Sequence, residues 1–400
     1  MSGITLIALV VTIVVLLILA GITISLVFSE NGIIAKAREA AEKTNQELIN
    51  EQAQMNEIAR YMENMLNGIG GSTTPEEPEG PEMPDGWDDT KVDAVESADN
   101  VVVPVPKGYT ASEVTGENTV KDGFVIYEGE ESITDESDIE TAQTTRNQFV
   151  WVPVSNPSEM YGTDSSGKKW GKLYNFSSTG ITPLNWTEQD GVMTITTTSG
   201  NDSYREPDIV SDDSSNGVTL SQLETEFNAM ITSVEKYGGF YIGRYETGNL
   251  SQAEAVVVKN NSDINNQTWY TMYNKAKGVA ANSNVTTTMI WGCQWDAVMR
   301  WMYNSGDNDK ETYTYDSTGK GNYSFSRKVT GSDLLYAVNN IYDMAGNVVD
   351  CTIEAIRTDH RVIRGGNYLS DASNNPASDR RSVSPSFSDA AFGSHLALYM

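Results

Sequence analysis

An uncharged apolar run near the N-terminus constrains this 400-residue chain more than any other feature. Residues 4–28 contain no Asp, Glu, Lys or Arg. As a helix with a rise of about 1.5 Å per residue, this run would cross the roughly 30 Å hydrocarbon core of a bilayer. A secretory signal peptide has a shorter apolar region after a basic leader, whereas residues 1–3 include no base. We therefore predict a helix that spans the membrane.

The same stretch, "GITLIALVVTIVVLLILAGI", resembles the N-terminus of type IV pilins and pseudopilins. In that family a peptidase removes the leader after a glycine, which implies cleavage between Gly3 and Ile4. The resemblance also implies that the apolar helix packs among filament subunits, which would then be partners of this chain. Ala8 stands where most pilins have Glu, and the leader has no base. A filament subunit, a filament tip and a lone anchored protein all stay open.

Residues 29–68 have the pattern of an amphipathic stem helix. The segment contains no proline, and apolar residues recur in it every seven positions: Ile34, Ala41, Leu48, Met55 and Met62. This spacing places them on one face of a helix that continues the membrane segment. The face can pack on neighbouring pilin-like stems, or the helix can stand as a solvated spacer or a weak coiled coil. The pattern does not separate these alternatives.

Residues 69–100 have the composition of an extended linker. They contain ten acidic residues against the single base Lys91, and prolines at positions 75, 78, 81 and 84. Charge repulsion and proline stiffness extend such a segment and keep it from burying apolar surface. We expect the linker to hold residues 101–400 outside the cell, on a membrane-anchored or pilus-associated protein. Lys36, Arg38 and Lys43 follow the span and would favour the opposite orientation.

The overall charge and the cysteine count exclude several classes of function. The formal net charge is −28, and such a surface repels nucleic acid, so we expect no nucleic-acid partner. Two cysteines are too few for a disulfide-dense scaffold or a four-thiolate zinc site, and the two histidines, His360 and His395, leave little for a histidine-based metal site. The hydrophobic fraction of 39% and eight tryptophans are sufficient for a folded core.

Residues 101–400 have the pattern of an α+β domain. Apolar runs of strand length are bounded by turn residues in "NVVVPVP", "GFVIYEG", "NQFVWVPV", "GGFYIGRYETG" and "RVIRGGNY". Residues 220–239 and 295–305 have helical periodicity, and Trp295, Val298, Trp301 and Met302 share one face. The polar stretches 161–172 and 303–326 are predicted to be loops or hairpin ends.

Four motifs in order resemble the formylglycine-generating-enzyme/sulfatase-modifying family, a branch of the C-type lectin fold. They are "GGFYIGRYETGN", "MIWGCQWDAVMRWM", "NNIYDMAGNVVDCT" and "RVIRGGNYLSD", and the resemblance covers residues 145–400. It implies a C-type-lectin-like domain. Gly346, Gly365 and Gly366 fit places where the backbone turns tightly or approaches another segment. The large rings of Trp291 and Tyr342, like those of Trp295 and Trp301, are expected in the core.

The resemblance implies oxidase chemistry only where two cysteines follow the "RGG" stretch. Ser370 and Asn375 occupy those positions, and neither offers the thiolate that binds copper. Cys293 and Cys351 fall in other motifs, and we expect small buried side chains, with a structural disulfide as the alternative. We predict no enzyme, no catalytic residue and no cofactor.

The resemblance also suggests a calcium site. Some relatives bind Ca²⁺ in loops of this kind, which makes Asp343, Asn347 and Asp350 candidate ligands. The alternative is that these side chains cap turns by bonding to the local backbone.

The C-terminal segment has an unusual composition. Residues 355–399 contain no Lys, Gln, Glu, Met or Trp. This resembles proteins diversified by retroelements, because adenine mutagenesis of AAY codons cannot produce those five residues; a polar family surface is the alternative. Asn, Ser, Tyr and Asp on a rigid scaffold suit recognition by adaptable hydrogen bonds. The predicted contact residues are Tyr368, Ser370, Asp371, Asn374, Asn375, Asp379, Ser384, Ser386, Phe387 and Asp389. Arg364, Arg380 and Arg381 are expected to brace the fold through internal pairs.

These features favour a surface-displayed binding protein of the adhesin or receptor type. A pilin-like helix would anchor it, and the lectin-like head would bind an external protein or glycan through its C-terminal segment. One alternative is a structural minor pilin or pseudopilin at a filament tip. The other is an oxidase of the formylglycine-generating type, which the missing cysteines disfavour.

Overall fold

The computed structural model describes residues 81–189, 192–195, 204–208, 216–279, 282–356 and 360–400. The predicted leader, membrane helix and stem lie outside these ranges, together with residues 69–80 of the predicted linker. The predicted cleavage pair, Gly3 and Ile4, lies outside them too. Within the described ranges, no helix combines the length and the apolar character needed to cross a bilayer.

The described residues contain five α-helices and more strand than helix. The helices are α1 (Glu136–Ala142), α2 (Leu220–Tyr237), α3 (Trp269–Ala276), α4 (Gly292–Tyr303) and α5 (Asn308–Tyr315). The longest, α2, begins after Thr219, whose side chain accepts a hydrogen bond from the N–H of Gln222. It ends at Gly238, whose φ of 76° is the left-handed conformation that closes many helices. Local sequence therefore sets both ends of this helix.

The strands are short and mostly joined by tight turns. The first ten are β1 (Val92–Glu96), β2 (Val102–Pro106), β3 (Tyr109–Ala111), β4 (Val125–Glu128), β5 (Gln148–Pro153), β6 (Tyr161–Thr163), β7 (Lys169–Gly171), β8 (Tyr174–Ser177), β9 (Gly180–Pro183) and β10 (Trp186–Gln189). The others are β11 (Val192–Ile195), β12 (Tyr204–Arg205), β13 (Gly239–Gly243), β14 (Thr286–Met289), β15 (Ala337–Val338), β16 (Ile341–Tyr342), β17 (Val349–Ile356), β18 (His360–Arg364), β19 (Arg380–Val383), β20 (Phe392–Gly393) and β21 (Leu396–Tyr399).

A six-stranded sheet has the order β14-β21-β13-β5-β4-β3. Its central strand β13 is buried along its whole length and pairs antiparallel with β5 and β21. Because β21 lies beside β13, the last residues of the chain belong to the middle of this sheet. Helix α2 packs against β13 and covers one face of it.

A five-stranded sheet positions the C-terminal segment. Its order is β12-β17-β18-β19, with β20 also paired to β17. Strand β17 is buried at every residue. Strands β18 and β19 form an antiparallel pair in which Arg364 lies opposite Arg380 and Arg361 lies opposite Val383. The β18–β19 loop, residues 365–379, therefore leaves the sheet where β18 ends.

The predicted strands, helices and core residues are largely confirmed. Each of the five quoted apolar runs contains a strand, and the two helical patterns correspond to α2 and α4. Residues 161–172 form the predicted hairpin end, as β6 and β7. Trp291, Trp295 and Tyr342 are buried, whereas Trp301 is only half-buried against the core. The described part of the chain is thus a mixed α and β structure, as expected.

The boundary between linker and folded head differs from the prediction. Residues 81–100 were expected in the linker, yet β1 pairs with β2 from Val92↔Pro106 to Glu96↔Val102. Val92 is fully buried, and Trp87 packs against Tyr237 with ring centroids 5.9 Å apart. Acidic composition predicted an extended chain here, but Val92 and Val95 bury apolar surface, and β1 forms a separate two-stranded sheet with β2.

The predicted loop at residues 303–326 contains a helix. Helix α5 is capped by Asp307, whose side chain accepts hydrogen bonds from the N–H groups of Asp309 and Lys310. Its sequence, NDKETYTY, has almost no apolar periodicity, and Tyr313 and Thr314 are its buried residues. The capping aspartate and packing against α4 stabilise this helix rather than an apolar face.

Candidate functional site

The structure divides the predicted contact residues into two groups. Tyr368, Ser370, Asp371, Asn374, Asn375 and Asp379 lie in the β18–β19 loop, and Ser384, Ser386, Phe387 and Asp389 follow β19. The two groups leave opposite ends of β19, whose four residues span about 13 Å. The second group packs near α3, because the N–H of Trp269 donates to the carbonyl of Pro385 and that of Asn266 to Asp389. The predicted contact residues therefore belong to two loops rather than to one.

The polar side chains of the β18–β19 loop bond mostly to one another, whereas its backbone is tied to other segments, for example by the N–H of Tyr368, which donates to the carbonyl of Asn347. Asp371 Oδ1 accepts from the N–H and Oγ of Ser373 and from Asn374, which lowers the pKa of this carboxyl through the hydroxyl bond first. Ser370 Oγ donates to Asn367 Oδ1 at 3.1 Å. Asn375 Nδ2 donates to Asp379 Oδ2. These side chains thus support the loop locally.

Glycines at the start of this loop are required by close approach, as predicted. Gly365 has a φ of 65°, and a Cβ there would lie 2.5 Å from the carbonyl oxygen of Met344. A Cβ on Gly366 would lie 2.7 Å from the carbonyl oxygen of Asn375 and from the ring of Tyr323. Contacts this short exclude a larger residue unless the backbone moves.

One wall of a surface groove of about 370 Å³ is formed by this loop. The loop contributes Ser373, Asn374, Pro376, Ser378 and Asp379, and Arg380 begins β19 beside them. The opposite wall comes from four separate segments of the chain: Asn175 and Phe176 of β8, Leu184, Tyr204 of β12, and Tyr315 at the end of α5. Below, "the groove" means the space between these residues.

The floor of the groove is a buried network of charges. Arg380 donates to Asp296 Oδ2 at 2.7 Å and to Glu354 Oε1 at 2.9 Å, and its side chain is only 6% exposed. Arg364 pairs with Asp296 Oδ1 at 2.6 Å. Burial alone would lower the pKa of Arg380, but Asp296 and Glu354 raise it above its ordinary value. The bracing role predicted for Arg364 and Arg380 is confirmed.

A third predicted brace, Arg381, lies nearer the surface. Its Nε is 2.8 Å from Asp379 Oδ2, and its side chain is 39% exposed. The adjacent residues Arg380 and Arg381 therefore point to different environments, one in the floor and one at the edge of the groove.

Aromatic rings form the wall opposite the loop. Tyr303 is 6.3 Å from Phe176 and 6.3 Å from Tyr315 between ring centroids, which links β8 to α5. The guanidinium of Arg380 lies 5.5 Å from the ring centroid of Tyr204. Rings fixed in this way offer apolar faces beside the exposed polar groups of Asn175 and Asn374, a combination that suits amphipathic ligands.

The groove residues outside the β18–β19 loop were not predicted from the sequence. Phe176, Tyr204 and Tyr315 lie in three segments separated by long stretches of chain, and no short motif connects them. A hint was available in the aromatic residues of "YNFS" and "YTYD", which stand in otherwise polar stretches. Only the fold places them around Asn374 and Asp379.

The predicted calcium ligands are all buried and occupied by internal bonds. Asp343 Oδ2 accepts from Thr330 Oγ1 at 2.8 Å and from the N–H of Gly331 at 3.0 Å. Burial raises the pKa of Asp343 to about 6. These bonds join Asp343 to a segment 12 and 13 positions earlier in the chain, so they are not the local turn caps of the alternative expectation.

The other two candidate ligands are also engaged. Asn347 Oδ1 accepts from Asn322 Nδ2, and its Nδ2 donates to Glu246 Oε2 at 2.6 Å. Asp350 Oδ1 lies 2.8 Å from His395 Nδ1, whose pKa burial lowers and Asp350 raises, with a net increase. Across the described ranges, no three His, Cys, Asp or Glu side chains are grouped so that they could hold a metal ion.

Both cysteines are buried and unpaired. Cys293 and Cys351 are each 1% exposed and form no disulfide, so the small-side-chain expectation is confirmed. Burial raises the pKa of each thiol well above its ordinary value. Ser370 and Asn375, at the positions of the oxidase cysteines, bond instead to Asn367 and Asp379.

No protein-family model and no curated protein matches the sequence. Three solved structures are similar to parts of it. CarF is 12% identical, with 40% of this chain and 87% of CarF covered at a TM-score of 0.29. PvdO from Pseudomonas aeruginosa is 15% identical, with 41% and 82% covered at 0.27. Treponema denticola variable protein 1 is 12% identical, with 63% and 96% covered at 0.22. TM-scores of this size support no argument about fold or function.

Proposed function

We propose that this chain is a non-enzymatic binding protein whose head captures an external ligand in the groove. The observation that carries the proposal is the contrast between the paired floor and the exposed wall of the β18–β19 loop. Asn374, Ser373 and Asn175 present amide and hydroxyl groups to solvent, and Phe176 and Tyr315 present ring surface. The buried network beneath them holds this geometry without the help of a ligand.

The chemistry of the groove supports a protein or glycan ligand. Both classes offer hydroxyl or amide groups for hydrogen bonding and apolar faces for ring contact. Asp379 adds a carboxylate at the edge, where Arg381 and Asn375 hold it. The surface resembles the polar and aromatic binding loops of antibodies, in which composition changes while the scaffold stays constant.

The rest of the proposal depends on the sequence resemblances. Residues 4–28 would bind the membrane or pack among pilin-like subunits, and the lectin-like head would then lie outside the cell. Diversification of the C-terminal segment by a retroelement fits the β18–β19 loop, because its side chains bond mainly within the loop.

Oxidase activity of the formylglycine-generating type is not part of the proposal. The reaction needs accessible thiolates, whereas Cys293 and Cys351 are buried and their pKa values are raised.

The experiment compares capture by the full-length protein and two variants in lipid nanodiscs. Binding to printed arrays of glycans and of bacterial surface proteins identifies a ligand for the wild type. The double variant Asn175→Ala, Asn374→Ala is expected to lose capture and to keep the wild-type unfolding midpoint. Asn228→Ala, on the exposed face of α2, is the matched control and should bind normally. Undiminished capture by the double variant would refute binding in the groove.

A further inference from the structure

A second pocket lies between the segment that follows β5 and the last turns of α4, and we call it the Trp301 pocket. Residues from within 153–160 line one side of it. The other side is one face of α4, since its residues are three or four positions apart: Ala297, Arg300, Trp301 and Asn304. The volume is about 230 Å³, below the range of about 300–1,000 Å³ that drug-sized ligands occupy. The pocket therefore has room for a small ligand, and it shares no lining residue with the groove.

The two sides of the Trp301 pocket are joined by an ion pair. Arg300 Nη2 lies 2.6 Å from Glu159 Oε2, and the guanidinium of Arg300 is 4.6 Å from the ring centroid of Tyr174. The hydroxyl of Tyr174 donates to the carbonyl of Glu159 at 2.9 Å. Arg300 and Glu159 are the charged lining residues, and their charges cancel. The pocket is thus formed before any ligand binds, and its lining favours a neutral one, because the net charge of −28 repels anions.

Several polar groups of the pocket have no hydrogen-bond partner among the described residues. The indole N–H of Trp301 is one of them, although a half-buried tryptophan usually donates to an acceptor. The side-chain amide of Asn304 is another, since only the backbone N–H of this residue donates within the helix end. Asn156 Oδ1 accepts from Ser158, which leaves Asn156 Nδ2 free. These groups are available to a ligand that offers both donors and acceptors.

The floor of the Trp301 pocket is apolar. Val154, Met160 and Ala297 line the pocket and are only 7%, 2% and 8% exposed. A methyl group of a ligand that reaches this floor would be removed from water, which stabilises the complex by roughly 0.8 kcal/mol. The pocket therefore combines an aromatic side, free polar groups at the rim and a small apolar floor.

We propose that the Trp301 pocket binds an N-acetylated hexopyranose, either free or at the end of a glycan. Such a sugar is neutral and small, and it has an apolar C–H face that can lie on the indole ring of Trp301. Its hydroxyl groups can bond to Asn304 and to the free Oε1 of Glu159. Its acetamide offers a methyl group for the floor and an amide for Asn156. The proposal does not depend on ligand binding in the groove.

The test uses the full-length protein in phosphatidylcholine nanodiscs and two pairs of methyl glycosides. Methyl N-acetyl-β-glucosaminide is compared with methyl β-glucoside, and methyl N-acetyl-α-galactosaminide with methyl α-galactoside. The members of each pair differ only in the acetamide group. Saturation-transfer NMR measures binding, with empty nanodiscs as the blank. At least one N-acetylated glycoside is expected to bind with a Kd of about 1 mM, and its parent sugar about tenfold more weakly, because it lacks the methyl group and the amide.

Two variants with matched controls locate the site. Trp301→Phe removes the indole N–H and part of the ring face and should weaken binding about tenfold, whereas Trp170→Phe, at a half-exposed tryptophan of β7, should not. Asn304→Ala should weaken binding about threefold, and Asn228→Ala on α2 should not. Asn304→Ala decides the test if Trp301→Phe does not fold. In protein labelled with 5-fluorotryptophan, the fluorine resonance that Trp301→Phe removes is expected to shift when the sugar is added.

Several outcomes would overturn the proposal. They are no binding of either N-acetylated glycoside, equal binding of the parent sugars, and unchanged affinity in the Trp301 and Asn304 variants. Tighter binding of N-acetyl-lysine methylamide than of both glycosides would assign the pocket to an acetylated protein side chain instead. Loss of glycoside binding in the double variant Asn175→Ala, Asn374→Ala would place the sugar in the groove.

Discussion

The floor and the wall of the groove differ although they are adjacent in sequence. Arg380 and Arg364 in the floor are buried and pair with Asp296 and Glu354 across distant segments of the chain. In the wall, the polar side chains of the β18–β19 loop bond mostly to residues a few positions away. The floor therefore ties the fold together, whereas the composition of the wall can change with little effect on it.

This difference separates the residues of the C-terminal segment that the fold constrains strongly from those that it constrains weakly. A buried ion pair that loses one partner leaves an uncompensated charge, so its residues are constrained. Side chains of a surface loop that bond only to near neighbours have fewer such constraints. The predictions below test the contrast in order of decreasing effect.

The largest effect on the free energy of unfolding is expected when the floor of the groove loses a positive charge. Arg380→Met would leave Asp296 and Glu354 without a major partner, and should lower the free energy of unfolding by about 3–5 kcal/mol. Urea denaturation followed by tryptophan fluorescence measures the change. The neighbouring variant Arg381→Met, which removes a half-exposed pair with Asp379, should lose less than about 1 kcal/mol. Similar losses in both variants would contradict the distinction between floor and wall.

The second prediction concerns the response to pH of Glu206, a buried carboxyl group near Glu354 of the floor. Glu206 accepts hydrogen bonds from the N–H groups of Gly292 and Cys293 at the start of α4, and burial followed by repulsion from Glu354 raises its pKa from 4.5 to about 8. The folded state therefore holds a proton that the unfolded state releases between these two values. Stability should fall as the pH rises through this window, by a few kcal/mol.

Thermal unfolding at pH 5 and pH 8.5 measures this loss of stability with rising pH. Glu206→Gln should make the loss smaller. At Asp371 in the exposed wall, the change of stability with pH has the opposite sign, because hydrogen bonds lower the pKa of this carboxyl group. The stability that ionised Asp371 contributes is fully present above the ordinary pKa of an aspartate. It is lost as the pH falls through the lowered pKa of Asp371 in the folded state. Asp371→Asn should therefore leave the alkaline slope unchanged. A wild-type protein that is more stable at pH 8.5 would refute the prediction.

A smaller change, with a gain in stability, is expected at Phe325. Phe325 has a left-handed φ of 61°, which is strained for a bulky residue. Phe325→Gly relieves this strain and removes only exposed ring surface. The free energy of unfolding should rise by about 1 kcal/mol. Phe325→Ala keeps the strain and serves as the control. Destabilisation by the glycine variant would show that the ring contributes to the fold.

The smallest effect on stability is expected at Asn374. Asn374→Ala removes one side-chain bond to Asp371 on an exposed turn, and the unfolding free energy should change by less than about 0.5 kcal/mol. Calorimetry or urea denaturation measures it, with Asn228→Ala as the surface control. A loss of several kcal/mol would mean that the loop belongs to the framework.

Much of the fold could be predicted from local pattern. The periodicity of α2 and the apolar runs of β5 and β13 are strong sequence signals, because each of these elements buries one or both of its faces. Helix α5 was missed since its sequence has no apolar stripe. Strand β1 was missed because ten acids between residues 69 and 100 outweighed its two valines, Val92 and Val95.

The candidate site was only partly predictable. Composition indicated the β18–β19 loop, and Asn374 and Asp379 do line the groove. The second predicted group, from Ser384 to Asp389, lies at the other end of β19, because the strand between them separates the two loops. The exposure of Phe325 was not predicted, since exposed and buried phenylalanines have the same letter in a sequence.

The sequence by itself determined which residues turn, cap and fill the core, since these depend on glycine, on short polar side chains and on apolar periodicity. Gly346, Gly365 and the helix signals are of this kind. Only the tertiary structure decided that Phe176, Tyr204 and Tyr315 would meet the β18–β19 loop, and that Arg380 would be buried while Arg381 is not. The physical reason is that such contacts join segments far apart in the chain, where spacing carries no information about distance.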